Sequence, residues 1–175
     1  MAIAGVPEVI HDFNIYRTGR KMWGGITGEV KMPDLESMTS DTSGVGLLGT
    51  YKAITPGHYD SIEQEIPFRC IDRDYFTLTS PSEAMELMLR GAIQYSEAST
   101  QNAKYMGMRV VFRGRCKKIT IGTVKQHGPM DSSITLELTY ILIEMDGQKK
   151  FELDKINGVF KINNVDMLAA VKRLT

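Results

Sequence analysis

From Ser132 to Met145 the chain reads SSITLELTYILIEM, an alternating run with Ile134, Leu136, Leu138, Tyr140 and Leu142 on one face and Thr135, Glu137, Thr139, Ile141 and Ile143 on the other. A period of two sustained over that length predicts a single β-strand. At about 3.3 Å per residue it spans on the order of 45 Å, whereas a compact chain of this size is roughly 40 Å across. Such a strand must bend between sheets or lie along a second molecule. Its odd-numbered face turns from polar (Thr135, Glu137, Thr139) to apolar (Ile141, Ile143, Met145) half-way, so its surroundings are expected to change from wet to buried.

The rest of the chain reads mostly as strands. FNIY (13–16) and RKMWGG (20–25) flank Thr18-Gly19 as a hairpin, and ITGEVKM follows with Ile26, Gly28, Val30 and Met32 on one face. A polar alternating stretch, ESMTSDTS, runs into a glycine-rich segment. DSIEQEIPF then places Ile62 and Ile66 inside and Glu63 and Glu65 outside. DRDYFTLT (72–79) fits a short helix capped by Asp72 and stopped before Pro81. MELMLRGAIQY (85–95) holds helix formers yet also alternates, and Gly91 in its middle weakens the helix. Asp146-Gly147 is a type I′ turn signal between the long strand and QKKFELD. Asn163 or Asn164 is expected to cap a terminal helix with a Val165, Leu168, Ala169, Lys172 stripe. The fold class is therefore all-β with minor helix: a sandwich or partial barrel with a long hairpin, a short central helix and a C-terminal helix.

One domain covering 1–175 is expected, because 42% hydrophobic content over 175 residues suffices for one core. Lys plus Arg and Asp plus Glu both number 21, so no net field recruits nucleic acid. Cys70 and Cys116 stand alone without metal-ligand spacing and are expected to be reduced, buried thiols. The opening MAIAGVPEVIHDF lacks a basic leader and its apolar residues are interrupted, so no export signal or membrane anchor is expected.

Four features resemble active chemistry. The string Gly44, Val45, Gly46, Leu47, Leu48, Gly49 satisfies GxGxxG, which cradles a pyrophosphate when it joins a buried strand to a helix. Here the flanks are polar on one side and β-branched on the other, so a loop needing positive φ is expected. Arg113, Arg115 and Lys117 share one strand face, a geometry able to track phosphates. No aromatic residues interleave with them to stack bases, so bridges to carboxylates within or between subunits are the favoured role. His11, His58 and His127 are scattered without a nucleophile or third ligand and are expected at surfaces or turns. Eleven methionines suit irregular core and interface gaps. Neither catalysis nor a cofactor or metal is implied, and the chain is expected not to be an enzyme.

RVVFRGRCKKI (109–119), the Thr139-Tyr140 pair, MDGQKKFELDKIN (145–157) and NNVDMLAAVKRL (163–174) resemble the major tail tube proteins of contractile-tailed bacteriophages. MPDL (32–35), the glycine stretch 44–49 and SIEQEI (61–66) fall where that family has comparable blocks, so the resemblance covers nearly the whole chain. It implies a strand over 85–95, and hence a long hairpin through the polar tip SEASTQNA to KYMGMRVVFRGR. It further implies hexameric rings stacked into the inner tube of a tail assembled in the host cytoplasm. The implied partners are the tail sheath, tape measure, baseplate and tail terminator proteins, with double-stranded DNA passing transiently through the lumen. Residues 1–12 are expected as an N-terminal arm and 40–58 as an extended inter-ring loop, with Arg113, Arg115 and Lys117 supplying subunit-interface charge. A headless contractile bacteriocin tube shares these features. A small sheet-based nucleic-acid binding module using the same three cations is the reading from a different class.

A DNA conduit must let its cargo slide, so its wall should be neutral or acidic. Between Lys31 and Glu65 the acidic residues are Asp34, Glu36, Asp41, Asp60, Glu63 and Glu65, against only Lys31 and Lys52. With the resemblance, this marks Glu36, Glu63 and Glu65 as lumen-facing.

Overall fold

The computed structural model describes residues 5–17, 21–73 and 75–175. In chain order the elements are β1 (Gly5–Arg17), β2 (Lys21–Met22), β3 (Ser37–Thr42), β4 (Tyr51–Tyr59), β5 (Glu63–Phe68), a 3-10 turn (Tyr75–Leu78), β6 (Met85–Glu97), β7 (Ala103–Thr120), β8 (Ser132–Met145), β9 (Gln148–Asp154), β10 (Val159–Ile162), β11 (Val165–Asp166) and α1 (Ala169–Lys172). One antiparallel sheet runs β11-β10-β9-β8-β7-β6-β1-β2, with β5 also paired to β8, and β3 and β4 form a separate two-stranded sheet. The chain is all-β, as its alternating runs predict.

The long strand β8 is paired differently along its two edges. β7 follows its whole length on one side, whereas on the other β5 pairs with its first half and β9 with its second. At the changeover Arg113 faces Tyr140 while Gly114 faces Leu138, which leaves Thr139 as a bulged residue. One extra residue reverses the side-chain phase. Before the bulge Ile134, Leu136 and Leu138 are buried; after it Ile141 is buried and Ile143 packs on the same core. The polar-to-apolar change along the odd face is thus a change of phase. Glycine is required beside it, since a Cβ on Gly114 would lie 2.2 Å from the Glu137 carbonyl oxygen.

The part of the sheet from β5 through β8, β7 and β6 to β1 is bridged across its open side by the segment after β2. Trp23 donates its backbone N–H to Ile15 O at 2.9 Å, and a few residues later Ile26 bridges Phe68 on β5, flanked by Arg69 N to Gly25 O (2.9 Å) and Thr27 N to Pro67 O (3.2 Å). The segment after β2 therefore closes a partial barrel between β1 and β5. Inside it Phe68, Leu87, Val110, Phe112, Leu136 and Ile141 form one core. The 3-10 turn plugs this interior: Tyr75 is fully buried, and its hydroxyl reaches Ser133 O at 2.9 Å and Thr120 O at 3.0 Å. Asp72 caps the turn by accepting the Tyr75 N–H at 2.8 Å.

Several expectations need correction. The stretch 26–32 is not a strand, although Ile26, Val30 and Met32 do pack on the core. Asn163 and Asn164 cap no helix: both have positive φ (48° and 65°) and make the turn between β10 and β11, a geometry asparagine tolerates as readily as an N-cap. The terminal helix shrinks to Ala169–Lys172. Cys70 is exposed rather than buried, just past the end of β5, while Cys116 is partly buried. Met85–Glu97 is a strand, and Asp146-Gly147 turns with positive φ at both positions. The Thr18-Gly19 turn lies outside the described residues, as does Asp74 of the short-helix segment. Residues 5–12, expected as part of an arm, run along β6 within β1.

Candidate functional site

Two surfaces stand apart from the core. The first is the hairpin of β3 and β4, joined by the glycine segment 44–49. Thr39 to Thr42 pair with Ile54 back to Tyr51, and pairing resumes only at Ser37 with Tyr59, leaving residues 55–58 as an excursion opposite Met38. At its tip Gly46 and Gly49 have φ of 93° and 128°, the positive-φ geometry expected there, and no helix follows. Val45 and Leu48 are fully exposed, with Leu47, Tyr51, Ile54 and Met38 also open to solvent. The base, by contrast, is anchored. Tyr59 packs edge-on against Phe151 and Phe160, and Lys155 Nζ donates to Asp60 O at 2.6 Å. Gly57 has φ of 80° and lies against Leu168; a Cβ there would meet that side chain at 3.0 Å. Glu36 is exposed beside this base, its carbonyl accepting the Asp60 N–H.

The second surface is the outward face of β5 to β9. Because Ile62, Gln64 and Ile66 are buried, Glu63 and Glu65 point outward, as expected. Because Val110 and Phe112 are buried, Arg109, Arg113, Arg115 and Lys117 share that outer side. Lys117, at a bulge in β7, draws three strands together: its ammonium is 2.7 Å from Glu63 Oε1, 3.0 Å from Glu137 Oε2 and 3.3 Å from Ser61 Oγ. Ser61 in turn donates to Glu137 Oε2 at 2.7 Å. Arg113 Nη2 donates to Glu86 Oε2 at 2.6 Å, and its guanidinium lies 5.0 Å over the Tyr140 ring. Arg109 Nε lies 2.9 Å from Glu144 Oε2 but is not aligned as a hydrogen bond, so that pair is a Coulombic contact. Lys149 holds Glu152 at 3.2 Å. Arg115 makes no ion pair among the described residues.

The electrostatics follow from these contacts. The Glu86 hydrogen bond raises the Arg113 pKa, and Glu63 followed by Glu137 raises that of Lys117. For Glu137 burial pushes upward, but the bonds from Ser61 and Lys117 outweigh it and hold the carboxyl below its usual range. Burial, reinforced by Glu152, pushes the Tyr140 hydroxyl up to about 12. Val111 and Leu142 are also buried on this outer face.

Nothing here assembles catalytic chemistry. His11, His58 and His127 are exposed, His11 edge-on to Tyr105 at 5.6 Å. Among the described residues no group of three or more His, Cys, Asp or Glu could hold a metal ion, and no helix is long and apolar enough to cross a membrane. Sequence reasoning found the cations of the outer face but missed Glu86, Glu137 and Ser61 as their partners. Glu137 was visible as an outward residue of its strand; which cation it meets depends on strand order.

A family model described as phage tail tube protein FII matches residues 7–174. The chain is also 27% identical over 169 residues to the tail tube protein of Escherichia phage P2, covering 96% of each.

Proposed function

The chain belongs to the phage tail tube protein FII family, and from that premise we propose that it forms hexameric rings stacked into the inner tube of a contractile tail. As a member it is a structural component of the virion tail, not an enzyme, and it assembles with itself and with other tail parts. The observation that carries the finer reading is the β3–β4 arm. A two-stranded sheet is at best marginal alone in water, and this one ends in Val45, Leu47 and Leu48 without a local core.

In the proposed assembly residues 1–175 act as one tube domain, with 40–58 reaching the next ring. Arg113, Arg115 and Lys117 supply charge near the subunit boundary. Glu36, Glu63 and Glu65 face the lumen, through which double-stranded DNA passes. The outer wall meets the sheath, and the tube ends meet baseplate and terminator proteins around a tape measure. Negative-stain imaging of the purified protein tests this: rings or rods are expected, and persistent monomers would contradict it.

A further inference from the structure

The outward face of β5 to β9 carries many cations for a wall along which DNA must slide. Unscreened, each lysine or arginine on a duplex releases counterions and adds grip. Here the most central ones are already occupied. Lys117 is held by two carboxylates, Glu63 and Glu137, and Arg113 by Glu86 on one side and the Tyr140 ring on the other. Arg90 and Arg109 stand directly opposite each other across β6 and β7, a destabilising arrangement for like charges. It is relieved because Arg109 turns to Glu144 while Arg90 lies 5.6 Å over the Tyr16 ring. The side chains of the Arg113–Glu86, Lys117–Glu63 and Lys117–Glu137 pairs are 34–49% exposed, and pairs of that kind add little to stability.

We propose that these carboxylate clamps keep the cations of this face from holding DNA phosphates, making it a non-adhesive wall of the lumen. The inference rests on the reading that Glu63 faces the channel. It adds that Glu63, Glu137 and Glu86 act through the cations they occupy rather than merely as repelling negative charge. Lys117 is thereby held between β5 and β8, and Arg113 between Glu86 and the Tyr140 ring.

The test uses the full chain in a fraction shown by light scattering to be unpolymerised, with a fluorescent 20-base-pair duplex as probe at low salt. The E63Q/E137Q and E86Q variants are expected to bind the duplex more tightly than the unchanged protein. The log–log salt slope should steepen by about 0.9 for each cation freed. Circular dichroism identifies variants that fail to fold, and K117A added to E63Q/E137Q should abolish the gain. Folded variants with unchanged affinity and slope would overturn the clamp inference alone. A tube reconstruction with this face on the outside would instead remove its premise, and the lumen assignment with it.

Discussion

The barrel and the β3–β4 arm are built from the same alternating patterns yet differ in what their side chains meet. In the barrel each inward residue finds a core: Phe112, Leu136 and Ile66 are at most 1% exposed. In the arm the apolar residues Val45, Leu48 and Ile54 face water. The barrel therefore holds its own fold, whereas the arm is held only at its base, by Tyr59, Lys155 and the Gly57–Leu168 contact. Hydrophobic burial still open to the arm must come from another molecule.

The sharpest way to break this contrast is to damage each region in turn. Phe112→Ala is expected to cost about 3–5 kcal/mol of folding stability, measured by denaturant titration. A smaller value would mean that the barrel core can collapse around the gap. Tyr75→Phe leaves Ser133 and Thr120 carbonyls in the interior without their hydroxyl partner, with an expected loss of about 1–3 kcal/mol. The double change Leu47→Asp with Leu48→Asp should shift stability by no more than about 0.5 kcal/mol and yet abolish tube growth. Normal rods from that variant would show that the arm's apolar tip has no assembly role.

The smallest expected effect concerns acid. Glu137 sits below its ordinary carboxylate range, so its folded form contributes stability that is present above the unfolded value near 4.5 and is lost as pH falls through the lower folded value. Glu137→Gln should flatten the stability profile in that acid window and leave its shape near neutrality unchanged. An unaltered acid limb would show that the Lys117 clamp does not couple to folding.

Much of the barrel was legible because alternation records burial directly. The strand Ser132–Met145 is bounded as its pattern predicts, and even its change of face was visible. Its cause was not, because a bulge at Thr139 depends on how β5 and β9 divide one edge. The start of the terminal helix is not legible because Asn163 and Asn164 suit both an N-cap and a positive-φ turn. Isolated composition cannot choose between these. The segment 26–32 has the right inward residues but gains only one bridge, at Ile26, as it crosses between barrel edges. The outer face was half legible: local spacing put Arg113, Arg115 and Lys117 on one side, while Glu86, Glu137 and Glu63 come from distant strands and meet them only through topology.

A helical reconstruction of tubes grown from the purified protein tests the central claim most directly. The account predicts six-fold rings in which residues 37–59 of each subunit touch the next ring through Val45, Leu47 and Leu48, with Glu63 and Glu137 facing the channel. Subunits that stack without contact from this arm, or that turn the Lys117 cluster toward the outside of the tube, would contradict it.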